Sequence, residues 1–239
     1  MVKLKRLWNL LAIMMAAMVS IGLSSCGDDD DNSIEQPVID EPEQKDYSIT
    51  LSTTRDFVDL ALPSGTKWAN MNIGATSNAD PGGYYRWGEI TEFSKSEYTL
   101  YDEATSEYVD IGRDISGTEY DVASVLWGNG CKMPTIEQFV ELCQYCDYGA
   151  YTLSGHSGYV FIGRNGNRIF LPHGGSMNNS GSYPGHRVVI LDDPTHHYYW
   201  SSSDNTEFSS QAWAWHPGFN FGKYNMGREF GCNVRAIKE

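Results

Sequence analysis

Few residues of this 239-residue chain are spaced for chemistry, and each candidate pair has a competing structural use. Cys143-x-x-Cys146 has the spacing of a redox dithiol or of half a zinc site. It lies inside an apolar helical pattern, and no second pair completes a zinc set. Two small buried apolar residues are therefore expected there. His196 and His197 are adjacent, and successive strand residues face opposite sides. That places the two imidazoles poorly for one metal ion, so a partly exposed strand or loop pair is expected. Glu89 with Glu92, and Glu137 with Glu141, could form carboxylate pairs. The second pair has the i, i+4 spacing of a solvated helix face. No G-x-S-x-G pattern supplies a nucleophile elbow. No catalytic residue, metal ligand or cofactor is assigned.

Cys26 is spaced for a different reaction, N-terminal lipidation. Lys3, Lys5 and Arg6 form a basic start, Leu10 to Leu23 is almost continuously apolar, and Leu23-Ser24-Ser25-Cys26 closes the run. The run suits a signal sequence and is short for a membrane span. The order of these regions predicts a lipoprotein signal peptide over residues 1–25, with Cys26 as the lipidated first residue after cleavage. Asp28 to Asp31 is similar to the acidic tetrad that sends lipoproteins to the outer face of the outer membrane. An outer-membrane, lipid-anchored location facing the cell exterior follows. Residues 27–46 carry nine acidic side chains against Lys45 alone, and Pro37 and Pro42 oppose regular structure. Residues 26–49 are therefore expected to be a disordered acidic tether.

Residues 50–239 are expected to form one domain. Residues 47–239 hold 22 acidic and 13 basic side chains, with no concentrated basic surface, which argues against nucleic acid as a partner. Short apolar and aromatic runs alternate with Gly, Asn, Ser and Pro clusters, the pattern of many short strands. Tyr159–Ile162 and Arg168–Leu171 flank Asn165-Gly166, which predicts a hairpin with positive φ at both central turn residues. Thr135 after Pro134, with Gln138 three residues on, predicts a capping box. Ile136, Phe139, Val140 and Cys143 then mark the buried face of a helix. A shorter helix is expected over Asp121 to Leu126.

Six ordered motifs carry a family resemblance. They are Val58-Asp59-Leu60-Ala61-Leu62-Pro63-Ser64-Gly65-Thr66-Lys67-Trp68-Ala69, Asn72-Ile73-Gly74-Ala75, Gly83-Tyr84-Tyr85-Arg86-Trp87-Gly88-Glu89, Lys132-Met133-Pro134-Thr135, Tyr199-Trp200-Ser201-Ser202-Ser203 and Asn233-Val234-Arg235-Ala236. Together they resemble the Fibrobacter succinogenes major paralogous domain of Bacteroidetes surface lipoproteins, over roughly residues 55–238. The resemblance implies an α+β fold of C-type-lectin-like kind: two helices, small antiparallel sheets and long irregular loops. Cys131 departs from the pattern, since the family tends to have a large residue there, and Cys232 beside the closing strand is a second departure. The related formylglycine-generating enzymes use a C-terminal cysteine pair. Only Cys232 lies in that region here, so their chemistry does not carry over.

The same resemblance places ligand contacts after the Trp-Ser-Ser segment. The candidates are Trp213, Trp215, His216, Asn220, Phe221, Lys223, Tyr224, Asn225, Arg228 and Glu229. Aromatics interleaved with amide and charged groups can stack on a ligand and hydrogen-bond it. Trp213 and Trp215 alternate on one strand face, so both could equally be core. Gly222 and Gly227 suggest turns, which predicts that the polar residues between and beyond them are exposed and clustered. The implied function is a non-catalytic binding or adhesion module for glycans or proteins. The alternatives are an enzyme of the formylglycine-generating or glycan-acting type, and a structural subunit of a surface assembly.

Overall fold

The computed structural model describes residues 45–93, 98–177, 197–217 and 222–239. Cys26, Asp28 to Asp31, His196, Asn220 and Phe221 lie outside them. Along the chain come β1 (Phe57–Asp59), β2 (Lys67–Asn72), β3 (Tyr101–Asp102) and β4 (Glu107–Tyr108), then the helices α1 (Val122–Trp127) and α2 (Ile136–Tyr145). The meander β5 (Asp147–Leu153), β6 (His156–Ile162) and β7 (Arg168–Pro172) follows. Last come β8 (Tyr199–Asp204), β9 (Gln211–Trp215), β10 (Lys223–Gly227) and β11 (Arg235–Lys238). The fold is α+β. Its pairings are antiparallel, in sheets ordered β1-β2-β11, β5-β6-β7, β10-β9-β8 and β3-β4.

Both helices start where the sequence predicts. At α1, Asp121 Oδ1 accepts the N–H groups of Ala123 (2.8 Å) and Ser124 (3.1 Å), while Oδ2 accepts those of Gly117 (2.8 Å) and Met133 (2.9 Å). One buried carboxylate thus satisfies the helix start and two loop donors. At α2, Thr135 Oγ1 accepts the N–H of Gln138 (3.2 Å), and Gln138 Oε1 accepts that of Thr135 (2.8 Å), which completes the capping box. The buried stripe of α2 runs through Ile136, Phe139 and Leu142, while Val140 and Cys143 flank it half-buried. Phe139 fixes this rotation. Its ring lies 5.0 Å from Trp68 on β2 and stacks on Trp215 of β9 at 5.8 Å and 10°.

The β6–β7 hairpin forms in the expected register, with Tyr159 opposite Leu171 and Phe161 opposite Ile169. Its turn differs from the expected one. Only Gly166 has positive φ (82°), and Gly163 N–H bonds Asn167 O at 2.8 Å, so the loop has three residues with glycine in the left-handed position. Asn165 instead uses its side chain, donating to Asp59 O at 2.9 Å. The tether boundary also moves. Residues 45–49 were expected in the tether, but the packed unit begins at Lys45. Tyr47 and Ile49 pack against Val160 and Phe170, and Arg168 Nη1 donates to the carbonyls of Asp46 (2.9 Å) and Ser48 (2.6 Å). Gly149 makes room for this segment, because a Cβ there would stand 2.5 Å from the Tyr47 ring.

The resemblance motifs become packing contacts. Trp200 Nε1 donates to Tyr85 O (2.7 Å) and Trp87 Nε1 to Ser201 O (3.0 Å), so the Tyr-Trp-Ser and Tyr-Arg-Trp segments bind each other reciprocally. Asn233 Nδ2 donates to Pro81 O (2.9 Å) and Gly83 O (3.1 Å). Arg235 is fully buried and bonds Asn72, Ala69 and Phe170.

Two substitutions test the helix. Thr135→Ala should lower stability by about 1 kcal/mol through loss of the N-cap bond. Phe139→Ala should lower it by roughly 3–5 kcal/mol, because the ring fills a contact between two tryptophans. Urea titration reads both; a neutral Phe139→Ala would mean that the helix packs through another face.

Candidate ligand-binding surface

The expected surface falls on the β9–β10 hairpin and the turn after it. Lys223 pairs with Trp215, Tyr224 with Ala214 and Asn225 with Trp213. The 223–227 segment is a strand and not a loop, so the period-2 alternation divides its side chains between two faces. Lys223 reaches α2, where its Nζ lies 3.2 Å from Glu137 Oε1. Trp215 is core and Trp213 packs half-buried against the same cluster. Tyr224 points to the other face, half-buried between Tyr198 (5.1 Å) and His216 (5.7 Å). Only Asn225 and Glu229 are exposed members of the described set. The expectation of one exposed cluster is therefore corrected: Trp215, His216 and Arg228 are buried, and Lys223 and Tyr224 lie on opposite faces.

Arg228 is the largest departure, at 4% exposure. Its guanidinium lies over the Trp87 ring at 4.4 Å, donates to Val109 O at 3.3 Å and pairs with Asp204. The pair forms the floor of a cleft of about 310 Å³, between the 108–113 segment and the 204–209 turn. The two walls are tied together. Asp204 N–H donates to Arg113 O at 2.8 Å, and Asp114 bridges to Ser203. Tyr108 stands at one end, its ring 5.0 Å from Tyr101 and its hydroxyl 3.5 Å from Glu229. Burial and the neighbouring Glu229 carboxylate push the Tyr108 hydroxyl above its ordinary pKa. Of the expected ligand residues, this cleft contains Arg228, with Glu229 beside it through Tyr108. Sequence reasoning missed Tyr108, Arg113 and Asp204. No spacing rule links segments about ninety residues apart, although Asp204 follows directly on the Trp-Ser-Ser-Ser motif.

The other chemistry-bearing residues have structural partners. Glu89 is buried 3.5 Å from Arg86, and its Oε1 accepts from Thr99 N and Thr99 Oγ1, both at 2.7 Å. Glu92 is exposed, so the two do not act as a pair. Glu141 accepts from Ser64 N (2.8 Å) and Ser64 Oγ (2.6 Å), which makes it more than a solvated helix residue. The Cys143 thiol accepts the Trp215 indole N–H at 3.2 Å. Burial pushes Cys143 up to about 11 and Cys146 up to about 12, so both are protonated thiols at neutral pH. His197 is fully buried, contrary to the partial exposure expected. Flat packing accounts for it: the His173 ring lies 3.8 Å away within 4° of parallel, and His216 lies 5.3 Å away at 11°. Among the described residues, no group of three His, Cys, Asp or Glu side chains is placed to hold a metal ion.

No family model, no curated protein and no solved structure matches this chain. What is established is the class of fold, an α+β domain of small antiparallel sheets.

The buried ion pair predicts a stability effect at the cleft. Arg228→Ala should cost roughly 3–5 kcal/mol, because it leaves Asp204 without its cation. Asn225→Ala, exposed on the neighbouring strand, should stay within about 0.5 kcal/mol of the parent. Thermal or urea unfolding of the two variants checks this; equal stabilities would mean that the guanidinium is not a floor of the cleft.

Proposed function

We propose that this chain is a non-catalytic binding module of the Fibrobacter-type paralogous family, built on a C-type-lectin-like fold and displayed on the outer membrane by lipidated Cys26. It takes a glycan or protein ligand. The observation that carries the reading is the cleft over Arg228, a preorganised polar floor open to solvent with Glu229 and Tyr108 at its side. The frame around it is well braced, since Trp87 N–H donates to Arg228 O at 3.0 Å and Tyr98 donates its hydroxyl to Trp87 O at 2.5 Å. A rigid frame loses little conformational entropy when a ligand binds. A non-catalytic role is supported by Glu89, Glu141 and the Cys143 thiol, which are all occupied in bonds within the domain. Anchoring is supported by the Lys3-to-Cys26 pattern.

Two measurements test the proposal. Metabolic labelling with a fatty-acid analogue should mark the wild type and not Cys26→Ser. Equal labelling would remove the anchor. The purified chain should bind a member of a glycan or surface-protein array saturably, with no turnover of the captured ligand. Release of cleaved or modified ligand would replace the binding module with an enzyme.

A further inference from the structure

The Cys143-x-x-Cys146 motif takes no part in the Arg228 cleft, and its place at the end of α2 gives it a chemistry of its own. We propose that these two cysteines form a redox-closable pair, joined by a disulfide across the last turn of α2 when a small disulfide oxidant is present. The pair needs neither the binding-module reading nor any ligand.

Backbone geometry brings the two residues together. α2 ends at Tyr145, and Cys146 caps it with its N–H on Leu142 O at 3.1 Å. The Cys146 Cα therefore still lies on the helical path, one turn beyond Cys143. Helix geometry puts such positions about 5 Å apart at Cα, inside the disulfide window of about 4.4–6.8 Å. Their Cβ atoms, about 5–6 Å apart in a regular turn, must approach to about 3.5–4.5 Å. Cys146 can supply that movement, because its backbone is already extended, at φ −106° and ψ 146°. No helical turn follows to resist it, since β5 starts at Asp147.

The surroundings divide the work between the two sulfurs. Both side chains pack on the cluster that contains Phe139, Leu142 and Trp215. Cys143 is half-buried and Cys146 is 7% exposed, so Cys143 meets an oxidant first and Cys146 resolves it. Cys131 and Cys232 are buried and have no cysteine at this spacing. Burial holds both thiols of the pair protonated. The reduced form thus lacks the stabilised thiolate that makes an oxidoreductase disulfide easy to reduce, and closure is slow but durable. A ring this short removes little chain entropy, so the bond acts as a local lock on the α2–β5 junction.

The exchange balances with oxidised glutathione as the oxidant. The Cys143 thiolate attacks one of its sulfurs, forms a mixed disulfide and releases one glutathione thiolate. Cys146 then loses its proton, its sulfur attacks Cys143 Sγ, and the second glutathione thiolate leaves. Two electrons pass from the pair to the oxidant, and the two thiol protons end on the two glutathiones. On the anchoring reading above, the domain lies in a compartment that keeps such bonds oxidised, although the exchange itself does not depend on it.

The test equilibrates the full-length chain in detergent with oxidised glutathione at mildly alkaline pH, followed by acid quench, alkylation and trypsin. Residues 133–164 form one tryptic peptide that holds Cys143, Cys146 and no other cysteine. Mass spectrometry should find it unalkylated and lighter than the dithiol by two hydrogens, in at least about tenfold excess over the dithiol. The same excess should be reached from the other direction, by closing the pair in urea and refolding. Cys146→Ser should stop at a glutathione adduct on Cys143, and Cys143→Ser should take up at least about tenfold less glutathione. A dithiol peptide from either direction, or a lasting glutathione adduct in the parent, would overturn the pair. So would a closed chain that fails to regain the near-UV circular dichroism of the reduced one.

Discussion

A guanidinium sealed from water has to place its N–H groups on acceptors inside the protein, and Arg235 does so on two other strands. Nε donates to Asn72 Oδ1 at 2.7 Å, Nη1 to Ala69 O at 2.8 Å and Nη2 to Phe170 O at 2.8 Å. These bonds join β11 to its sheet partner β2 and to β7 of the separate meander. Burial pulls the group down to about 10, with the Tyr199 hydroxyl opposing the fall, so it stays charged at neutral pH. An uncompensated charge at this depth would cost several kcal/mol. The fixed fork geometry of arginine is what lets one side chain serve three acceptors at once.

The rest of the closing segment extends this tie. Gly231 bridges to Met177, Cys232 to Tyr85, Asn233 to Tyr199 and Ile237 to Lys132. The last residues of the domain therefore run through its centre. Many short strands, none of them stable alone, share one buried line of hydrogen bonds. The candidate cleft hangs on the same line, because Arg228 precedes it by a few residues and Trp87 braces both the arginine and β8. Residues on this turn are held by the core behind them, which is how an irregular segment becomes rigid.

Local rules were legible and long-range ones were not. The Thr135 capping box and the short helix after Asp121 depend on residues within four positions, and both formed where the sequence placed them. The Asn165-Gly166 turn was found but mistyped, because the Asn165 side chain bonds Asp59, which lies about a hundred residues away. Alternation put Trp213 and Trp215 on one face, but could not say that Phe139 waits there. Arg228 was read as a surface anchor because a charged residue in a turn is usually solvated. Its burial depends on Trp87, Val109 and Asp204, three segments that only the fold assembles. Cleft residues such as Arg113 and Asn205 gave no local signal at all.

The Arg235 fork holds the sheets together, and a urea titration of Arg235→Met and Arg235→Lys tests this. Methionine fills similar space but leaves three buried acceptors without a donor, and lysine cannot reach all three with one ammonium. Both variants should lose roughly 3 kcal/mol or more, with lysine giving no substantial rescue. Arg235→Met with stability within about 0.5 kcal/mol of the parent would mean that the sheets are held by other contacts.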